Sequence, residues 1–580
     1  MSTNRLRYAL VVEGEYISAW QYLMLVRLQG LATVKLVAVL FRQAVAPSMS
    51  QRVNWLLLKY LYLIDGTLFQ SPVTAPAARN ILDLLPPDVV LCNADSPRYQ
   101  RLLTSELIDV VIDLSRQSPS AELIAWATHG IWRYFYGYPA LLGDCYVGMR
   151  EYIQRQSEII SGVERILPNQ ATPEIIFYAT TSTDQVSVSR SIERTLWKMA
   201  DFMPQRLQEL MQVGETQFSL NNQIRQADVP LKQEYAKAPP GIGVMLGVLC
   251  RYPYNFLNKL YKVIFRFEQW VLLIGQQNDA TYKNALKSFR KLMPPRDRFW
   301  ADPFVVEYQG EHYVFFEEFI YRRGIGHLAC MQLRSDGSYS TPVSILQRPY
   351  HLSYPFVFAY QGQYYLIPET AENNTIELYR CVNFPHQWVF EKCLMTNVQA
   401  YDATLMEKEG RWWMFVSMRH HQHCSPSEAL YLFHADSPLS TNWQAHPQNP
   451  VIARASQARP AGRIFEVNGH WYRPSQNCAG VYGRGLNINL IERLDKHHYQ
   501  EATVSHVSPE GAYDLNGMHT LGIGSAMTVA DAVHVHRRLG VLDRWLARFN
   551  RWQPPLFYRV GFMKRHMLTI VPLAAFWLDL

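Results

Sequence analysis

Five polar residues recur at matching places in the second half of this sequence, and their types are those of acid–base and anion chemistry. Asp302, Tyr354, Asp402 and Arg459 each open an apolar stretch that leads through a glycine turn into an aromatic stretch; His519 opens a weaker copy. His351 lies just before Tyr354, and Arg463 follows Arg459. The aromatic stretches end in Glu317, Glu318, Glu369, Arg473 and Gln476. Paired carboxyls divide labour when their surroundings push their pKa values apart, one donating a proton and the other accepting it. An imidazole titrates near neutrality and suits a second base or a hydrogen-bond partner. A guanidinium stays charged and grips a carboxylate, phosphate or pyrophosphate, often with two prongs. Charged groups are rarely buried unless paired. The set is therefore read as a ligand site; mutual ion pairing that plugs a channel is the alternative.

These residues need a scaffold that repeats. ADPFVVEYQGEHYVFFEE, SYPFVFAYQGQYYLIPET, YDATLMEKEGRWWMFVSM and ARPAGRIFEVNGHWYRPSQ share one pattern, with turn glycines Gly310, Gly362, Gly410 and Gly469. A fainter fifth copy starts at Gly517. Short strands with glycine turns at a period of about 50 residues predict a five-bladed β-propeller. The innermost strand of each blade lines the central channel, so the five residues gather near one mouth. Ahead of this lies a different pattern. Apolar runs at Leu6–Val12, Val34–Phe41, Asp88–Cys92 and Leu107–Leu114 alternate with helical stretches such as Ala19–Leu28 and VNWLLLKYLYLI. That alternation predicts an α/β domain whose parallel sheet is covered on both faces. The chain from Gly148 to about Gly214 reads as mainly helical. The expected domains are 1–214 (α/β), 215–290 (linker and helical connector), 291–535 (propeller) and 536–580 (a basic amphipathic segment).

A length of 580 residues with 48% apolar and 18% charged residues fits two or three globular domains. The net charge of +7 permits an anionic partner, but no Lys/Arg stripe or reading motif points to nucleic acid. The eight cysteines are scattered with no CxxC pair, a reduced and cytosolic set. The N-terminus turns acidic after one apolar strand, unlike a signal peptide, and no run of 18 apolar residues predicts a transmembrane helix. The expected location is cytoplasmic. Residues 537–565, with Arg544, Arg548 and Arg551 interleaved with Trp545, Phe549 and Trp552, offer an amphipathic helix for an anionic membrane surface, or one docked on the propeller. HHQHC at 420–424 has no spaced partner ligands and reads as a polar loop, with no metal expected.

The runs WADPF, HLSYPFVF, PET, YDATL, RPAGRIF, RPSQN and GMHTL resemble the N-terminal propeller domain of glucosamine inositolphosphorylceramide transferases, over about residues 265 to 535. That domain is in turn similar to the five-bladed propellers of glycoside hydrolases acting on arabinosides, xylosides and fructosides. The resemblance implies that Asp302 takes the place of their blade-one nucleophile or base and Asp402 that of their blade-three aspartate. Arg459 stands where the hydrolases carry an acid. Hydrolysis needs two carboxyls, and a guanidinium cannot protonate a leaving oxygen, so Glu318 or Glu369 would have to supply the acid. Two arginines favour an anionic group, such as a sugar phosphate or nucleotide diphosphate. The separate glycosyltransferase domain that follows the propeller in those transferases is not expected in this chain.

The segment HGIWRYFYGYPALLGDCYVGMREYIQRQSEIISGVERIL resembles the core of methionyl-tRNA and sugar N-formyltransferases, over about residues 5 to 215. Their Asn-x-His pair appears here as Tyr134-x-Tyr136. A neutral tyrosine does not replace histidine as a base near pH 7, so a formyltransferase-like fold is expected without folate or any other cofactor. Glu13 and Glu15 follow the first strand, at the edge where doubly wound sheets bind ligands.

The expected function is a carbohydrate-active transferase, moving glycosyl groups in surface-polysaccharide or glycolipid synthesis, with a sugar nucleotide or glycan as partner. Asp302 and Asp402 would orient or deprotonate a sugar hydroxyl, with His519 as second base or hydrogen-bond partner. Arg459 and Arg463 would hold an anionic leaving group. Glu318, His351, Tyr354, Glu369, Arg473 and Gln476 would complete the substrate contacts. A non-catalytic glycan binder using Trp412 or Trp471, and a propeller glycosidase, are the alternatives.

Overall fold

The computed structural model describes residues 5–537 except 44–48, 70–73, 95, 105–107, 116, 137–147, 169, 171, 228–241, 276–288, 335–336, 420, 510–513 and 526. The basic segment after residue 537, His420 and the linker prolines Pro230, Pro239 and Pro240 lie outside the described residues. The chain divides into two compact units, Met1–Asn255 with His421–Ser425, and Phe256–His420 with Pro426–Leu580.

The first unit is built on a seven-stranded sheet in the spatial order Val90–Asn93, Val34–Phe41, Leu6–Val12, Val110–Asp113, Ile131–Tyr136, Glu158–Ile166, Glu174–Ser182. The first five strands are parallel. The near-continuous apolar runs of the inner strands reflect burial on both faces. The α/β expectation therefore holds, with one correction. The stretch from Gly148 to Gly214, read as mainly helical, contains the last two strands of the sheet, both antiparallel. Their β-branched residues (EIISGVERI and EIIFYATTS) favour strands. The strong helical pattern of the residues that follow masked them. That pattern is real: helices span Val188–Met199 and Phe202–Ala227, the second kinked at Gly214 and reaching into the expected linker. Glu15 is exposed and Glu13 half-buried after the first strand. Tyr134 is buried against Trp20, and burial raises its hydroxyl far above the usual range.

The second unit is a five-bladed propeller of four-stranded sheets. Four blades begin with inner strands Arg298–Tyr308, Ser353–Tyr360, Ala400–Lys408 and Phe465–Val467. Each passes to its second strand through a two-residue turn: Gln309-Gly310, Gln361-Gly362, Glu409-Gly410 and Asn468-Gly469. Both residues of every turn have positive φ, the geometry whose twist matches paired strands. Nothing lies within 4 Å of a Cβ built on these glycines, so they are needed for backbone conformation and not for space.

The fifth blade is composite. Leu521–Ile523 and Thr528–Arg537 pair with Arg266–Gly275 and Arg290–Leu292, in the register Arg266↔Arg537 to Gly275↔Thr528. This corrects the expectation that residues up to 290 form a linker and helical connector. Only RFEQ separates helix Ile242–Phe265 from WVLLI, and periodicity alone does not separate a short buried strand from a continued helix. Pairing the first strand of the unit with its last closes the ring and leaves no open edge between them. The blades pack through large apolar side chains, among them Phe304, Phe315, Tyr354, Phe356, Leu366 and Met414.

Candidate functional site

The inner strands of the first three blades break register at equivalent points, after Ala301, Ser353 and Tyr401. Asp302, Tyr354 and Asp402 sit in these bulges with φ of 53°, 46° and 57°. A left-handed backbone costs a non-glycine residue about 1–2 kcal/mol and clusters at functional sites. A bulge re-aims a side chain, here toward the channel mouth. Pro303 and Pro355 follow two of the three, where a proline leaves no ladder N–H unmade.

Two networks form at this mouth. In the first, Asp302 Oδ1 accepts from the Thr520 hydroxyl at 2.7 Å, and Oδ2 accepts from Tyr354 N at 3.2 Å. His519 Nδ1 lies 3.6 Å from Asp302 and 2.5 Å from Asp531 Oδ2. Asp531 also accepts from the backbone N–H groups of His519, Thr520 and Asp302. The His519 ring stacks on Trp270 at 4.0 Å. Burial lowers its pKa, but Asp531 and Asp302 outweigh burial and raise it overall. The Asp302 carboxyl is pushed up to about 6, by burial first; His519 opposes this, while the Asp402 and Asp531 carboxylates reinforce it.

In the second network Arg459 grips Asp402 with two prongs, Nε to Oδ2 at 2.5 Å and Nη2 to Oδ1 at 3.3 Å. The same Nη2 donates to Glu369 Oε2 at 3.2 Å, and Gln476 Nε2 donates to Asp402 Oδ2 at 3.1 Å. The guanidinium lies over the Tyr401 and Tyr482 rings. Glu369 is raised well above the usual carboxyl range, by burial and then by the Asp402 carboxylate.

Other expected site residues fall elsewhere. Glu318 points away from the channel, because successive strand residues face opposite sides. It accepts from Trp300 Nε1 at 3.0 Å and lies 3.2 Å from both Arg298 and His327. Burial raises its pKa, but these donors outweigh it and bring the carboxyl down to about 2. Its neighbour Glu317 takes the channel place. Arg473 is buried inside blade four, paired with Glu501 at 2.7 and 2.5 Å. Arg463 donates to Val357 O and lies over Phe356, deeper along the channel, with no ion pair among the described residues. Tyr354 projects its hydroxyl to Thr404 at 2.8 Å and accepts from Gly462 N at 2.8 Å, a buried brace. His351 is half-buried, its Nε2 3.3 Å from Glu317 Oε1. Trp412 packs among Phe358 and Tyr360 as core.

The site residues that sequence reasoning did not single out are Glu317 as the channel-facing acid, Asp531, Trp270 and Tyr482. A signal for Glu317 exists. Glu317, Glu369, Ser417 and Gln476 each stand seven residues after a turn glycine, on the channel side of the second strand. Asp531 and Trp270 lie on paired strands of the composite blade, which the repeat did not reveal.

Glu317 is 5% exposed, and its Oε1 meets His351 Nε2 at 3.3 Å without hydrogen-bond geometry. Burial, then the Asp302, Glu369, Asp531 and Asp402 carboxylates, raise its pKa well above the usual range. Two glutamic acids whose pKa values are raised thus share the mouth with two aspartates. Pairs of carboxyls with separated pKa values are what proton donation and acceptance at one bond require. Asp302, His519 and Asp531 keep their ligand atoms within 4.8 Å of one another. The 2.5 Å contact of His519 with Asp531 is a charge-assisted hydrogen bond that engages the imidazole Nδ1.

The fold and this mouth define a propeller with a carboxyl-rich channel site. Residues 265–524 match the family model described as Glucosamine inositolphosphorylceramide transferase 1, N-terminal. The chain is 33% identical over 226 residues to Glucosamine inositolphosphorylceramide transferase 1 of Oryza sativa subsp. japonica, covering 38% of this chain and 30% of that protein. It is 34% identical over 226 residues to the Arabidopsis thaliana protein of the same name, covering 38% and 29%. The chain therefore spans less than a third of the length of these relatives. Among solved structures, a family 117 glycoside hydrolase from Zobellia galactanivorans matches with a TM-score of 0.31 and 10% identity over 46% of this chain and 91% of that one. The catalytic domain of Coprinopsis cinerea GH62 alpha-L-arabinofuranosidase matches with 0.31 and 11% over 45% and 97%.

Proposed function

We propose that the channel mouth is the site of a carbohydrate-active transferase that moves a glycosyl group to a glycolipid acceptor. The observation that carries this reading is that buried Glu317, its pKa raised well above the usual range, shares the channel mouth with Asp302, whose carboxyl is pushed up to about 6. Glu317 would give its proton to the departing glycosidic or phosphate oxygen. Asp302 would take the proton of the attacking hydroxyl, with charged His519 steadying it. The bond to the leaving oxygen breaks as the bond to the acceptor oxygen forms, and the two proton moves balance. Arg459, shared by Asp402 and Glu369, would meet an anionic group on the donor, which competes with Glu369 for Nη2. The named activity of the relatives supports an inositolphosphorylceramide-type acceptor.

The test offers the purified protein nucleoside-diphosphate sugars with inositolphosphorylceramide and follows glycolipid formation by mass spectrometry. Transfer that drops by about 10²–10⁴ in Glu317→Gln supports the reading. The same Glu317–Asp302 pair also favours a second reading, hydrolysis with water as acceptor. Release of free sugar from aryl arabinosides or xylosides, with no transfer to lipid, would replace the transferase by a glycosidase. Saturable sugar binding with neither activity would leave a glycan binder.

A further inference from the structure

Blade four brings three arginines to the channel or its wall, and one of them has no acid. At Arg459 burial lowers the pKa, but Asp402, Tyr482 and Glu369 outweigh it and raise it overall. At Arg473 burial acts the same way and Glu501 outweighs it. At Arg463 burial lowers the pKa overall, and the Tyr354 hydroxyl alone opposes it. No carboxylate among the described residues pairs with Arg463. Charged groups are rarely taken out of water without a counter-charge.

The repeat shows where this charge stands. Phe304, Phe356, Thr404 and Arg463 each lie six residues before a turn glycine, so they share one level of the inner strands. The other three blades place a phenyl ring or a hydroxyl there. Arg463 Nη2 donates to Val357 O, and the guanidinium carbon lies 5.0 Å from the centre of the Phe356 ring. Both partners belong to blade two, and blade three stands between blades two and four. The side chain therefore crosses the lumen, and its guanidinium lies in the channel. The hydroxyls at this level are already engaged: Tyr354 OH meets Thr404 Oγ1 at 2.8 Å and accepts from Gly462 N at 2.8 Å, and Thr404 donates to Asp402 O at 3.2 Å. A guanidinium offers five N–H donors. Arg463 Nε and Nη1 have no acceptor among the described residues, and neither nitrogen is sealed from solvent. One carbonyl and one ring face offset only part of the cost of holding this charge inside the propeller. What the lumen lacks is a small negative charge beside these donors.

We propose that the lumen beside Arg463 is a binding site for a small inorganic anion of the halide class, held by the free N–H groups of the guanidinium and tying blade four to blade two. It is separate from the mouth, where Arg459 is closed on Asp402 and Glu369. The probes are bromide and chloride, with no sugar present, so the outcome does not depend on the transferase reading. Crystals of the full chain soaked in sodium bromide should show an anomalous peak in contact with the Arg463 guanidinium. In solution, replacing gluconate by chloride at constant ionic strength should raise the Tm of the wild type by about 3–6 °C, the effect of an ion at about ten times its Kd. Arg463→Met should lose that response. In gluconate the variant should melt no lower than the wild type, because it removes an unmatched charge and keeps most of the volume. Three results overturn the proposal: no bromide at Arg463, with water alone beside the guanidinium; bromide at Arg459 and not at Arg463; or the same chloride response in the folded Arg463→Met protein. The bromide soak uses the wild type, so it decides the matter even where the variant does not fold.

Discussion

Glu317→Gln exchanges a buried carboxyl of raised pKa for a neutral amide of the same shape, and the consequence is a change in how stability depends on pH. In the fold, burial and four neighbouring carboxylates raise the Glu317 pKa well above its usual value. In the unfolded chain a glutamate ionises near pH 4.3. From about pH 5 upward the folded state therefore binds one more proton at this position than the unfolded state. Unfolding free energy then falls as pH rises, by about 1.4 kcal/mol per pH unit from this group alone, until the folded pKa is passed. An amide binds no proton, so the variant lacks that slope. The two proteins should be closest in stability near pH 4 to 5 and should diverge above it, the variant becoming the more stable. At about 2–4 °C per kcal/mol for a domain of this size, the Tm gap should widen by about 3–6 °C per pH unit. Thermal unfolding of both proteins at pH 5, 6 and 7, followed by tryptophan fluorescence, reads this directly. Other titrating groups act on both proteins and cancel in the difference. Parallel curves would refute the reasoning, because they would mean that Glu317 is ionised in the fold and is no proton donor.

Three further outcomes follow from the same geometry. Arg459→Met removes the two-pronged donor from buried Asp402 and should cost about 3–5 kcal/mol, measured by denaturant unfolding; Arg459→Lys should restore little, because an ammonium does not reproduce the two-pronged grip. Arg473→Met should destabilise by a similar amount, whereas Arg473→Met combined with Glu501→Leu should recover most of it, since the pair is enclosed within blade four and takes no part in the site. Turnover should rise through a limb near pH 6 as Asp302 ionises, and Asp302→Asn should abolish that limb along with most of the rate; initial rates between pH 4.5 and 8.5 check both.

Much of the architecture was open to sequence reading because the propeller repeats its local chemistry. Each Gly-containing turn demands positive φ, each inner strand opens on a polar residue, and four copies reinforce one another. The composite blade escaped because its halves are joined by the pairing of Arg266–Gly275 with Thr528–Arg537, a contact between the two ends of the unit that no local pattern encodes. In the first unit, the antiparallel strands Glu158–Ile166 and Glu174–Ser182 were overshadowed by the stronger helical signal that follows them. At the site, residue types were legible but their facing was not. Glu317 and Glu318 are adjacent, and a single step in strand register decides which one reaches the channel. Arg459 and Arg473 look alike in sequence. One closes on Asp402 at the mouth, and the other is neutralised by Glu501, a residue that the sequence does not tie to it.

The central claim is that sugar occupies the channel mouth, between Asp302, Glu317 and Asp402. The most direct measurement is a crystal structure of the Asp302→Asn protein soaked with donor sugar and glycolipid acceptor, with the substitution slowing turnover enough to trap the pair. The account predicts a sugar ring at the mouth, with an oxygen within hydrogen-bond distance of the Glu317 carboxyl and the anionic group on Arg459. A sugar bound only at the strand ends of the first unit, with the mouth closed by its own ion pairs, would contradict it.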